Sequence, residues 1–124
     1  MKPFSIVAIQ MHVSATHSNV ELIKTKIELT MTIYPWVQMI MFSELAAYGP
    51  LTHNAQTLPG PFEDEMREMA RKHNIWLLPG SIFERSPDGK IYNTLSVIDP
   101  DGNVFKYPAP SPSEELQNLL DYIY

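Results

Sequence analysis

The sequence predicts a single α/β domain: a mixed sheet with helices on one face, followed by a C-terminal tail helix. Three observations predict it. Short, uniformly apolar runs alternate with segments whose apolar residues recur at helical spacing. Two Pro-Asp-Gly turns bracket another strand-like run, so the later part of the sheet folds back on itself. The chain has 124 residues, 44% of them hydrophobic, enough for one core.

Ser5-Ile6-Val7-Ala8-Ile9-Gln10 opens the series. Its continuous apolar character suits a strand buried on both faces. Ser18-Asn19-Val20-Glu21 has the form of a capping box, with the Ser18 hydroxyl on an early helix amide and Glu21 reaching back. Ile23, Ile27, Met31 and Tyr34 give the following helix its apolar stripe, and Pro35 stops it. Val37-Gln-Met-Ile-Met-Phe42 is the second buried strand.

Pro59-Gly60-Pro61 turns the chain and places Pro61 at the start of a second helix. Acidic Glu63, Asp64 and Glu65 fall in its first turn, and basic Arg71, Lys72 and His73 in its last, as the helix dipole favours. Phe62, Met66, Met69 and Ala70 form its buried stripe, and Asn74 is suited to a left-handed cap. Ile75-Trp76-Leu77-Leu78 is the third strand. Ser86-Pro87-Asp88-Gly89 and Asp99-Pro100-Asp101-Gly102 are type I turns. With the strand between them they make an antiparallel meander, and the element order is β-α-β-α-β-β-β. Residues 1–107 thus form the domain. Pro108, Pro110 and Pro112 make 108–124 an extended linker, ending in a short helix capped by Ser113 with a stripe of Leu116, Leu119, Leu120 and Ile123.

Composition excludes several functions. A net charge of −5 with scattered basic residues argues against nucleic acid or acidic membranes as partners. No apolar run approaches the ~20 residues needed to span a bilayer, and the N-terminus lacks signal-peptide anatomy. The chain contains no cysteine, which removes disulfides, thiolate catalysis and thiolate metal sites, and leaves a cytoplasmic protein as the expectation. His12, His17 and His53 have no ligand spacing, and no glycine-rich phosphate cradle is present, so neither metal nor cofactor is expected. Asn93, within a strand, is expected to satisfy a neighbouring backbone group.

One side chain is placed for chemistry. Glu44 follows the second strand, and ligands gather at the carboxyl ends of strands in open α/β sheets. Between Phe42 and Leu45 its carboxylate is expected to be partly desolvated, which raises a carboxyl pKa toward general-base duty. Position alone also allows an ordinary solvated glutamate.

The ordered series of motifs resembles the nitrilase superfamily, the carbon–nitrogen hydrolases. It runs from Ile6-Val7-Ala8-Ile9-Gln10 and Asn19 to Met41-Phe42-Ser43-Glu44-Leu45 with Tyr48-Gly49, then Leu58-Pro59-Gly60-Pro61 and Met69-Ala70-Arg71. It continues with Pro79-Gly80-Ser81, Glu84-Arg85, Tyr92-Asn93-Thr94 and Asp99-Pro100-Asp101-Gly102. No single piece is specific; the order across residues 6–107 carries the resemblance. It implies half of an α-β-β-α sandwich and hydrolysis of nitriles or amides by a Glu, a Lys and a Cys. Glu44 matches the general base that deprotonates the cysteine, the lysine stabilises the tetrahedral intermediate, and water resolves the thioester.

The chain departs from that pattern at three places. Ser43 stands where the family usually has proline. After Tyr107 the family continues Arg-Lys, and here Pro108 and Ala109 take those places. Lys106 is no substitute, because along a strand it points to the opposite face from position 109. The family's cysteine belongs to a later elbow beyond this chain, so its absence reads as truncation, from a shortened, frame-shifted or fused gene.

The expectation is therefore a hydrolase fold carrying the base and inactive alone. Its partner would be a small amide or nitrile once missing sequence completes the site. The alternative is a non-catalytic assembly module of the same fold. Two helices cover one sheet face; the other is expected to meet a second copy, a partner chain or the tail helix.

Overall fold

A computed structural model describes residues 3–110. The expected tail helix, and with it the stripe from Leu116 to Ile123, lies outside the described residues. The elements are β1 (Ile6–Ile9), α1 (Val20–Ile33), β2 (Met39–Phe42), α2 (Pro61–His73), β3 (Trp76–Leu78), β4 (Ser81–Arg85), β5 (Ile91–Ile98) and β6 (Val104–Pro110). They form one mixed sheet. β1, β2 and β3 are parallel, while β5 runs antiparallel to β3, β4 and β6.

The helices obey local signals to different degrees. In α2, Pro61 is the first helical residue, the acids and bases take opposite ends, and Asn74 closes it at φ 52°. Phe62, Met66, Met69 and Ala70 are all buried, as expected. In α1 the capping box is only half formed. Ser18 Oγ accepts from the Val20 amide at 3.3 Å, but Asn19 occupies the cap position and its side chain makes no capping bond. Asn19 turns instead to neighbouring loops. The buried stripe is Val20, Ile23, Ile27 and Thr30, while Tyr34 is exposed, because the helix ends at Ile33 before its last expected turn.

β3 and β4 lie along the same edge of β5, whose other edge is taken by β6. Leu77 pairs with Ile98 and Ser81 with Leu95, so four steps on one strand face three on the other. The extra residue is a β-bulge at Pro79–Gly80, with Gly80 at φ +86°. Strand parity reverses across it. Leu77 points to the helices, and so does Ile82, whereas Ser81 and Phe83 share the opposite face with their partners Leu95 and Asn93.

That opposite face corrects the expectation of strands buried on both sides. Val7, Ile9, Ile40, Phe42, Leu77 and Ile98 pack with α1 and α2. Their neighbours do not. Ile6 is 52% exposed, and Met39, Met41, Trp76 and Leu78 are only partly shielded. The domain boundary expected at 107/108 falls inside β6, which continues through Pro108 to Pro110 opposite Tyr92. Lys106 faces α2, its Nζ 3.3 Å from Oε2 of the buried Glu63. The contact is close enough for an ion pair, at an angle that makes no hydrogen bond.

Candidate active site

Glu44 sits just past the carboxyl end of β2, in the turn spanning residues 44–48. This turn is anchored on three sides. Asn19 donates its backbone amide to the Ala47 carbonyl at 2.8 Å. The Asn19 side-chain amide donates to the same oxygen at 3.3 Å and to the Ser14 carbonyl at 3.0 Å. From the sheet, Ser81 Oγ accepts from the Leu45 amide at 3.0 Å. Beneath the turn, Ala46 and Ala47 are fully buried. Tyr48 meets Phe62 edge to face, with ring centroids 5.7 Å apart. Burial pushes the Tyr48 phenol up, with Glu65 adding to the effect, so the ring stays neutral in that packing.

Leu45 has φ 57°, a left-handed conformation unusual for a branched side chain. Such a residue costs roughly 1–2 kcal/mol, and here its amide is held by Ser81. Strain of this kind concentrates where a neighbouring group must be aimed. The neighbour is Glu44. Gly80 completes the fit, because a Cβ there would lie 2.4 Å from the Ser43 carbonyl oxygen.

The Glu44 side chain is exposed, so the partial burial expected of it is not supplied by the described residues. Its partner corrects a second expectation. Asn93 binds no neighbouring backbone: its Nδ2 donates to Glu44 Oε1 at 2.5 Å. The two residues are 49 apart in sequence, and only the sheet brings them together. A carboxylate facing an amide fixes which amide atom is nearest, since the carbonyl end would be repelled.

Glu44 and Asn93 share a cavity of about 400 Å³ with Met41, Leu78, Leu95, Tyr107 and Ala109. Ala109 is the cross-strand partner of Asn93. The position to which the resemblance gives a lysine therefore opens on the same cavity as Glu44, while Lys106 points to the helix side with Glu63. His12 and His17 on loops, and His53 in the short 3-10 helix Thr52–Asn54, are exposed and do not line this cavity.

The carbon–nitrogen hydrolase pattern matches residues 5–112. The chain belongs to the carbon–nitrogen hydrolase family. Curated relatives include omega-amidase NIT2 of Mus musculus, 42% identical over 50 residues, or 40% of this chain and 18% of that protein. The zebrafish (Danio rerio) omega-amidase NIT2 is 44% identical over a stretch of the same extent. Among solved structures, Saccharomyces cerevisiae Nit3, a member of branch 10 of the nitrilase superfamily, superposes with a TM-score of 0.75 at 22% identity. That superposition covers 90% of this chain and 49% of Nit3. A carbon–nitrogen hydrolase from Helicobacter pylori gives 0.67 at 18% identity, over 90% of this chain and 41% of its own. These structures share the fold, and the chain spans less than half of each.

Proposed function

We propose that this chain is the base-bearing half of a hydrolase of non-peptide carbon–nitrogen bonds, with Glu44 as the general base. One observation supports it most directly: Glu44, Asn93 and the lysine-equivalent position Ala109 line one cavity at the carboxyl end of a strand. The relatives' name, omega-amidase, favours a small amide over a nitrile as substrate class. A cysteine-free sequence fits a cytoplasmic setting.

In that reading Glu44 takes the proton of a thiol that attacks the amide carbon. A cationic group stabilises the tetrahedral oxyanion, and ammonia leaves before water releases the acid. This chain provides the proton acceptor and its aim. It contains no cysteine, and no lysine among the described residues lines the cavity. A base without a nucleophile cannot perform the reaction, so the chain is expected to be silent by itself. Ammonia release from small amides and nitriles, assayed with wild type and Glu44→Gln, is the test. No release from either is expected; release that depends on Glu44 would refute inactivity and keep the base, while equal release would refute both.

A second reading, an assembly module, is favoured by the open sheet face with Ile6 52% and Tyr107 60% exposed. Apolar surface of this extent favours a cover, from a second copy or a partner chain. Light scattering is expected to find an assembly larger than one chain. A monodisperse monomer would count against this reading.

A further inference from the structure

We infer that the cavity beside Glu44, as this chain builds it, binds a primary alkylammonium ion. Such a ligand carries one positive charge, several N–H donors and a short apolar chain. The inference goes beyond the hydrolase reading, resting only on the Glu44–Asn93 geometry and on what surrounds it.

Charge is the first argument. Glu44 enters none of the ion pairs among the described residues. Among the described residues, no lysine, arginine or histidine lines the cavity. Its carboxylate has the neutral Asn93 amide as partner, which leaves one negative charge uncompensated at the cavity. An anion would be repelled there.

Hydrogen bonding is the second. Asn93 directs one of its two N–H donors to Glu44, and its Oδ1 is buried with no donor among the described residues. Being out of solvent contact, that oxygen does not face an entering ligand, and the acceptors a ligand meets are the carboxylate oxygens of Glu44. The dyad therefore offers the two carboxylate oxygens against a single remaining Nδ2 N–H. A neutral alcohol brings a single donor and no charge. A divalent cation wants six or more oxygen ligands, and two side chains do not provide them. An ammonium group brings a positive charge together with several N–H donors for the two carboxylate oxygens.

Shape is the third. Away from the dyad the wall is Met41, Leu78, Leu95 and the Tyr107 ring, around about 400 Å³. This volume lies in the range of small-ligand pockets, whose walls are mostly apolar with a few placed polar groups. A bare ammonium or alkali ion would leave that wall unused. A four- to six-carbon chain, roughly, would cover it.

The test is an NMR titration of the full chain with n-pentylammonium chloride, with 1-pentanol as the neutral comparison. Saturable shifts of the Glu44, Leu45 and Asn93 amides are expected with the ammonium, and binding at least about tenfold weaker with the alcohol. Glu44→Gln, an isosteric change at an exposed position, is expected to weaken pentylammonium about tenfold or more. Ala109→Lys, which brings a cation of the chain's own to the cavity, is expected to displace the ligand. The inference is overturned if no saturable shift appears, if pentanol or Glu44→Gln matches wild type, or if Ala109→Lys binds undiminished. None of these outcomes depends on ammonia release, so this inference and the hydrolase reading fail separately.

Discussion

The two faces of the sheet are made of the same kinds of residue and live in different surroundings. On one, Ile40, Leu77 and Ile98 are fully buried beneath α1 and α2. One step along each strand, Met41, Leu78 and Val97 are only partly shielded. Apolar character in a short strand thus states a demand for cover; the supply comes from another layer. The candidate site sits on the under-supplied face, which is why its carboxylate is exposed and its cavity open.

The sharpest way to break this comparison is a pair of truncations. Ile40→Ala is expected to cost about 2–5 kcal/mol, as for other fully buried aliphatic residues. Met41→Ala is expected to cost under about 1 kcal/mol, since its side chain already has partial access to water. Chemical denaturation of both variants measures the difference. Equal losses would mean that the open face is covered in solution.

A smaller effect is expected where the open face grips the turn. Ser81→Ala removes the acceptor of the Leu45 amide, with Ser81 itself buried. A loss of about 1–3 kcal/mol is expected, together with faster hydrogen exchange at Leu45. Unchanged exchange there would show that the Asn19 contacts hold the turn without Ser81.

The smallest effect belongs to the outer side of the helical layer. The Lys72 ammonium, 2.6 Å from Glu28, holds that carboxyl below the usual glutamate range, against a slight opposing push from burial and with help from His73. A depressed folded pKa adds stability above the unfolded value, and that stability is lost as pH falls through the folded one. The pair is solvent-screened, so its worth is under about 0.5 kcal/mol. Glu28→Gln should flatten the acid limb of the stability profile by that small amount. A larger change would reveal a less screened pair.

Sequence made some of this visible and hid the rest for physical reasons. α2 was fully legible because Pro61, the first-turn acids, the last-turn bases and Asn74 all act within a few residues. The cap of α1 was not, because Asn19 spends its polar atoms on Ser14 and Ala47, partners chosen by tertiary contact. Glu44 could be found from the end of an apolar run and from the motif order. Asn93 could not be assigned to it, since their contact exists only once β2, β3 and β5 lie side by side. The prolines of β6 suggested a linker. They are tolerated in the sheet because β6 pairs with β5 alone among the described strands, and an edge strand can direct alternate N–H positions outward.

The bulge at Pro79–Gly80 carries a consequence for how this stretch can change. Downstream of it, odd and even positions have exchanged sides. Removing that one extra residue would leave three steps facing three, so regular alternation would still set Ile82 toward the helices and Phe83 toward the cavity. Chemistry at this point is therefore held more tightly than length: any side chain at Gly80 would strike the Ser43 carbonyl, whereas losing one residue leaves the downstream faces where they are.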